Sequence, residues 1–268
     1  LGAAMLVWHK YLGNRRSADE KSDKQKASLL GPSYSDAEIE EFLRMSEAPH
    51  HKLSSEELPD KVAELVASGN VVGWFQGRLE FGPRALGSRS IIGDSRNPEM
   101  QSRMNLKIKY RESFRPFAPT VLREEVNNWF EFDKESPYML LAAPVKEDKR
   151  LRCEDTEEGF AMLKLMRSVI PAVTHVDYSA RLQTVKKEDN PIYYNMINSF
   201  YKKTGCPVII NTSFNIRGEP LVCTPQDAFR CFMRTGIDYL AIGNFLLDKK
   251  EQKQPKESVS WQKSFEPD

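Results

Sequence analysis

Between Asn190 and Asp248 the chain is punctuated twice in the same way. Asn190-Pro191 opens "NPIYYNMINSFYKKTG", closed by Gly205, and Thr224-Pro225 opens "TPQDAFRCFMRTG", closed by Gly236. A side chain that accepts from first-turn amides, a proline with preset φ and a glycine that tolerates left-handed backbone are the start and stop signals of a helix. Each such helix is followed by an apolar run, "PVIINTSF" and "DYLAIGNFLLD". Runs this short, rich in β-branched and large apolar residues, fit strands buried in a sheet. Helices alternating with buried strands restrict the chain to layered α/β architectures.

Upstream the same grammar is less regular. "LPDKVAELVASGN" carries Val62, Leu65 and Val66 at helical spacing, with Gly69 as its stop. The strand "VVGWFQG", the Gly/Pro loop "FGPRALGSRS" and the strand "SIIGD" follow. "NPEMQSRMNLKIK" reads as a helix capped by Asn97, "FAPTVL" and "MLLAAPV" as buried strands around a helical "REEVNNWF", and "AVTHVDYSARLQTV" as a longer extended segment. The irregular alternation predicts a mixed α/β (α+β) sheet rather than a strict parallel wind. Residues 1–13 read as an apolar helix ended by Gly13, apolar nearly all round, which asks for a partner surface. Polar residues 14–28 read as a linker, "GPSYSDAEIEEFLRM" as a helix capped by Ser35, and residues 249–268 as a tail.

Composition matters mainly for what it removes. Over 268 residues the formal net charge is +1, with 40% hydrophobic and 29% charged residues, which describes a soluble protein and gives no support to a nucleic-acid coat or membrane-surface binder. No apolar run approaches the roughly 20 residues of a membrane span. The opening "LGAAMLVWHKYLG" lacks the basic start and cleavage site of a signal peptide. Cys153, Cys206, Cys223 and Cys231 form no CxxC pair and no zinc-like spacing with the histidines, so reduced thiols and a cytoplasmic location are expected.

Against this neutral background one segment is locally basic. Residues 80–119 carry Arg84, Arg89, Arg96, Arg103, Lys107, Lys109, Arg111 and Arg115, opposed by Glu80, Asp94, Glu99 and Glu112. Guanidinium forks, an ammonium and free N–H groups in glycine turns are the three donors that hold phosphates. If "KIKYR" is extended, Lys107, Lys109 and Arg111 share one side. A second candidate is "VIINTSFNIRGEP", where an apolar strand delivers Asn211, Thr212, Ser213 and Asn215 at its end; the same residues also suit an ordinary turn. His175 reads as a polar or core histidine, and Trp74, Phe75, Phe81, Phe114 and Phe117 as core rather than base-stacking platforms. No P-loop or dinucleotide fingerprint is present.

"KYR" at Lys109–Arg111 and "SFN" at Ser213–Asn215 resemble the Lys-x-Arg and Ser-x-Asn signatures of the YrdC/Sua-type fold. "LEFGPRALGSRSIIGD", "KYRESFRPFAPTV", "YSARLQTV" and "INTSFNIRGEPLVCTP" resemble, in order, the C-terminal domain of NodU/CmcH-type O-carbamoyltransferases, over residues 31–248. The resemblance implies a YrdC-like twisted mixed sheet with flanking helices and a basic concave cleft. It makes residues 1–30 the last helix of a preceding Kae-like domain plus linker, and places any iron or other divalent metal in that domain. The implied substrates are ATP, with Mg²⁺, and carbamoyl phosphate, which would yield carbamoyl adenylate for transfer to a hydroxyl. The implied phosphate-binding residues are Arg84, Lys109, Arg115, Arg181 and Ser213, with Arg111 and Asn215 completing the two signatures. A threonylcarbamoyl-AMP synthase-like enzyme and a binding-only RNA or nucleotide module are the alternatives. "GPRALG" and "RPFAPTV" disfavour the first, and the near-neutral charge disfavours nucleic acid in the second.

Overall fold

A computed structural model of the chain describes residues 1–17, 25–152 and 165–253. The sheet strands are β1 (His51–Lys52), β2 (Val72–Phe75), β3 (Arg89–Asp94), β4 (Ala118–Leu122), β5 (Leu141–Pro144), β6 (Ser179–Val185), β7 (Val208–Ser213), β8 (Tyr239–Ile242) and β9 (Phe245–Asp248). They form one sheet in the order β1-β9-β8-β2-β3-β7-β4-β6-β5. The β2–β8 and β4–β6 pairs are parallel and the other neighbours antiparallel. The expected mixed α/β sheet with flanking helices is therefore the architecture of the chain. The central strands β2, β3, β7 and β4 are almost wholly buried, the mark of a sheet covered on both faces, and α2 (Asp36–Met45) and α7 (Pro225–Arg234) lie together on one of them.

Two layers of helices do the covering. On one face α3 (Glu57–Ala67) and α6 (Pro191–Thr204) pack on each other, with Tyr193 of α6 beside Trp74 of β2. The short α5 (Val126–Trp129) follows β4 along the chain, and on the other face α4 (Met100–Met104) sets Met100 and Met104 against Gly93. There α7 packs over β2 and β8, and α2 lies outside it with Phe42 edge-on to Phe229. The capping signals act as read at α2, α6 and α7 but not at α4, which starts at Met100 behind Glu99, while Asn97 Oδ1 accepts only from the Glu99 amide. Ser35 with Glu38 and Thr224 with Asp227 form capping boxes, and Asn190 accepts from the Tyr193 amide. Gly205 ends α6 at φ +73°, whereas α7 ends on Thr235, one residue before the expected Gly236.

Residues 105–109 continue α4 as a wide helical turn, as the helical reading of residues 97–109 expects, so the extended alternative for "KIKYR" does not hold. Met100, Met104 and Ile108 are buried at intervals of four, so the helical stripe outweighs the alternation of cations. Lys107 is consequently exposed while Lys109 is buried, and the three cations do not share a side. Strand β5 is not buried but forms an edge of the sheet, with Leu140 73% and Leu141 46% exposed. Packing also continues past residue 249, the expected start of the tail: Gln252 is buried and donates to the Pro49 carbonyl. The rest of that tail, part of the 14–28 linker and Cys153 lie outside the described residues.

At the N-terminus α1 (Gly2–Leu6) and the wide turn Val7–Tyr11 bury no residue, and Leu6, Trp8 and Leu12 are exposed, as the all-round apolar reading requires. Among the described residues no helix is long and apolar enough to cross a membrane. Cys206 and Cys231 are buried free thiols, and Cys223 is a half-buried one.

Gly87 is the tightest point between loop and helix. Its φ is +104°, and a Cβ there would stand 2.2 Å from the Tyr193 ring. Gly87→Ala is expected to cost about 2–5 kcal/mol, through overpacking and left-handed strain together, read from urea unfolding.

Candidate functional site

Lys109 closes the wide turn that follows α4, and its ammonium reaches the end of β7. The Nζ donates to the Ser213 carbonyl, to Ser213 Oγ at 3.3 Å, and to the carbonyl and Oδ1 of Asn215, both at 2.9 Å. Ser213 Oγ donates to Asn215 Oδ1 at 2.7 Å, and Asn215 Nδ2 donates to the Glu219 carbonyl at 2.8 Å. The two tripeptides that stand far apart in the sequence thus meet through one buried lysine. Burial pushes that lysine down to about 7; Cys231 opposes the shift and Arg111 adds to it.

Tyr110, in the left-handed region at φ +49°, turns the chain out of the helix and into the loop that carries Arg111 and Arg115. Asn105 fixes this loop. The side chain is fully buried, accepts from Arg111 Nε at 2.6 Å, and donates from Nδ2 to the carbonyls of Ser113 and Arg115 at 3.0 and 2.8 Å. Gln101 Nε2 donates to the carbonyls of Phe114 and Arg115 at 3.0 and 3.2 Å. Arg111 also stands 5.0 Å over the Phe117 ring, and burial first, then the charge of Arg115, lower it to about 10. Arg115 itself is exposed and lies 3.7 Å from Glu112. The sequence reading passed over Asn105 and Gln101. Their signal was a polar i, i+4 pair alongside the apolar i, i+4 stripe Met100–Met104.

A second loop, residues 80–89, is organised by a carboxylate. Glu80 is buried and its Oε1 accepts from the amides of Leu86, Ser88 and Arg89 at 2.7, 2.7 and 3.2 Å. The loop's carbonyls are held from the sheet. Asn211 Nδ2 donates to Ala85, Gln183 Nε2 to Leu86, and Trp74 Nε1 and Asn190 Nδ2 to Gly87. The outcome is an exposed Arg84 within electrostatic reach of Arg181 of β6. Burial, and behind it the charge of Arg84, hold Arg181 below the ordinary guanidinium value. Among the described residues no carboxylate pairs with either arginine. Asn211 and Ser213, two apart on β7, share a face of the strand, so β7 links the Arg84–Arg181 loop to the Lys109 cluster without direct contact between the two groups.

The eight-cation segment therefore divides. Arg89 is fully buried, stacked 3.5 Å over the Phe75 ring and donating to the carbonyls of Gln76, Ser88 and Gly77. Burial pulls it down to about 10 against the charge of Glu80. Arg96 pairs with Asp94 at 2.7 Å, and Arg103 with Asp238 at 2.6 Å. These three hold the fold. The aromatics divide too: Trp74, Phe75 and Phe117 are core as expected, but Phe81 and Phe114 are 56% and 46% exposed. Half-buried His175 belongs to no metal cluster, and no group of three or more His, Cys, Asp or Glu side chains is placed to hold a metal ion among the described residues.

Glu80 offers a direct check on the loop. Glu80→Ala leaves three buried amides without an acceptor and Arg89 without its nearest counter-charge. A loss of about 3–5 kcal/mol is expected in urea unfolding, with Glu80→Gln recovering most of it.

Residues 63–249 match the family described as Carbamoyltransferase C-terminus. A Synechocystis sp. protein of uncharacterized function is 55% identical across all of this chain and 44% of its own length. Nodulation protein NolNO of Sinorhizobium fredii is 38% identical over 93% of this chain and 34% of its own. The 3'-hydroxymethylcephem-O-carbamoyltransferase of Amycolatopsis lactamdurans is 35% identical over 72% and 33%. The chain thus spans between a third and less than half of the length of these curated relatives. Among solved structures, T. kodakarensis HypF superposes with a TM-score of 0.46 at 19% identity over 72% of this chain and 21% of that one, a likeness too distant to bear on the site. With its matched span enclosing both loops and the end of β7, the chain belongs to the carbamoyltransferase C-terminal family.

Proposed function

We propose that this domain binds ATP and carbamoyl phosphate between its two basic loops and forms carbamoyl adenylate, which a preceding Kae-like domain of the full-length protein transfers to a hydroxyl acceptor. The observation that carries the reading is the buried Lys109 ammonium seated on Ser213 and Asn215, with Arg111 and Arg115 on the loop that follows it. The cationic pair Arg84–Arg181, without a carboxylate partner among the described residues, supports it from the other loop. The name of the Amycolatopsis relative, an O-carbamoyltransferase, supports the class of group transferred.

In this reading carbamoyl phosphate surrenders its phosphoryl group to water, leaving carbamate and inorganic phosphate. A carbamate oxygen then attacks the α-phosphorus of ATP, and pyrophosphate departs as the phosphoanhydride bond breaks. The residues gathered here are donors, so their work is to position the anions and stabilise charge on the transferring phosphoryl group. The same cationic and amide donor set does not suit a resident divalent ion. Mg²⁺ therefore enters as part of the MgATP substrate, on phosphate and water ligands.

The test is carbamoyl-phosphate-dependent pyrophosphate release by the purified chain with MgATP. Release without carbamoylation of a hydroxyl acceptor is the expected result; absence of both nucleotide binding and release would remove the reading. Lys109→Met is expected to weaken both ligands with the fold intact. Arg115→Lys and Arg181→Lys should each lose about 1–3 kcal/mol, since a lysine cannot reproduce a two-pronged contact with phosphate.

Protonation gives an independent signature. In the free protein Lys109 sits near 7, so above that pH it is largely neutral. A phosphate brought against it raises its affinity for a proton, and binding at about pH 8, roughly one unit above the free value, should take up protons. Calorimetry in buffers of different ionisation enthalpy checks the sign, and the uptake should vanish in Lys109→Met.

A further inference from the structure

We propose that Asn105 is a positioning residue for this site: its neutral carboxamide fixes the Arg111 guanidinium through Nε and leaves the charge and both Nη groups of that arginine to a phosphate. The proposal rests on the reading of the site as a phosphate site. Asn105 acts on the ligand through Arg111 and does not touch it.

The arginines of the basic segment are held in two different ways. Asp94 accepts from Arg96 Nε at 3.0 Å and from its Nη2 at 2.7 Å. Arg103 gives Nη1 to the Gly69 carbonyl and Nη2 to Asp238, and Arg89 gives Nη1 and Nη2 to backbone carbonyls. In all three the fold takes outer nitrogens of the guanidinium. Arg111 differs. Its side chain donates from Nε to Asn105 Oδ1 at 2.6 Å, and among the described residues Nη1 and Nη2 have no acceptor. The residue is half-buried, with its guanidinium 5.0 Å over the ring of buried Phe117. A planar group held at Nε and backed on one face has its remaining edge set in direction, which is the geometry a two-pronged contact with phosphate requires.

Asn105 is fully buried and every polar atom of its side chain serves this loop. Oδ1 takes Arg111 Nε, Nδ2 donates to the carbonyls of Ser113 and Arg115, and the main-chain carbonyl accepts from the Arg111 amide at 3.1 Å. An arginine Nε can only donate and a carbonyl can only accept, so the carboxamide has one orientation here. Its neutrality is the second half of the role. A carboxylate in its place would still take Nε, as Asp94 does for Arg96, but would cancel the guanidinium charge. It would also face two carbonyl oxygens with no proton to give. Glu112 acts on Arg111 by charge, yet its carboxylate lies 3.7 Å from Arg115 and no ion pair joins it to Arg111 among the described residues.

The experiment is a double-mutant cycle read by calorimetry, with inorganic triphosphate and Mg²⁺ as the probe and the whole chain as the protein. Arg111→Met is expected to weaken the probe by about 10- to 150-fold, the span of a charge-assisted hydrogen bond. Asn105→Ala is expected to cost at least about fivefold in the unaltered chain, but no more than about twofold once Arg111→Met is present. Asn105→Ser, which keeps a donor for the loop carbonyls, is run in the same two backgrounds and decides the point if Asn105→Ala does not fold. Asn105→Asp should weaken the probe at least as much as Asn105→Ala, although it keeps an acceptor for Nε. Equal losses with and without Arg111 overturn the positioning role, since Asn105 would then support the loop without acting through that arginine. Unchanged binding in Asn105→Asp overturns the role of neutrality. Failure of the unaltered chain to bind triphosphate overturns the phosphate reading itself, a result seen before any substitution is made.

Discussion

A peptide segment that is neither helix nor ladder still has to satisfy its amides and carbonyls, and the loop from Glu80 to Arg89 does so through one carboxylate and four side chains. Glu80 takes the amides of Leu86, Ser88 and Arg89, while Asn211, Gln183, Trp74 and Asn190 supply donors to the carbonyls of Ala85, Leu86 and Gly87. Those four donors come from β7, β6, β2 and the cap of α6, so the loop is a knot tied across the middle of the sheet. Its own backbone is spent inward. What faces solution is the stretch from Phe81 to Arg84, whose guanidinium lies within electrostatic reach of Arg181 on β6, one of the strands that anchor the loop. The second loop repeats the device with amides in place of a carboxylate, Asn105 and Gln101 holding the carbonyls of residues 113–115. Both cationic loop surfaces are thus by-products of buried hydrogen bonding, which fixes the backbone beneath them.

Much of the fold was legible because its signals are local. Ser35, Asn190 and Thr224 act as caps through contacts within three residues, and Gly205 needs only its own φ. The central strands were legible from apolar runs alone. The edge position of β5 was not, since "MLLAAPV" has the composition of a buried strand and only the order of pairing leaves it outside. The turn at 105–109 is helical as read, although two periods compete there. The cations alternate, while Met100, Met104 and Ile108 repeat every fourth residue, and burial decides in favour of the latter.

The site was legible to the extent that its motifs are contiguous. Lys109 with Ser213 and Asn215 stood out, and the structure joins them. Sequence could not say which arginines are enclosed by the fold and which face outward. Arg89 lies in the same Gly/Pro-flanked loop as Arg84, yet one is enclosed against Phe75 and the other faces water, and the difference depends on partners such as Gln76 and Gly77 that no local pattern names. Phe81 and Phe114 show the reverse error. An aromatic in a loop carries no mark of its direction until the backbone under it is known.

The strand order has a kinetic consequence. β2 is flanked by β3, its neighbour along the chain, and by β8, which arrives near the far end of the described chain. β3 in turn waits for β7, and β4 for β7. Nearly every central pairing therefore closes a long stretch of intervening chain, whose loop entropy is spent before the pairing rewards it. On the ribosome the strands β2, β3 and β4 emerge with their apolar faces complete and their hydrogen-bonding edges open. They stay that way until α6, β7 and β8 have been made. A protein laid out in this manner assembles its sheet late and nearly all at once, and its exposure to wrong strand partners is greatest just before synthesis of this domain ends.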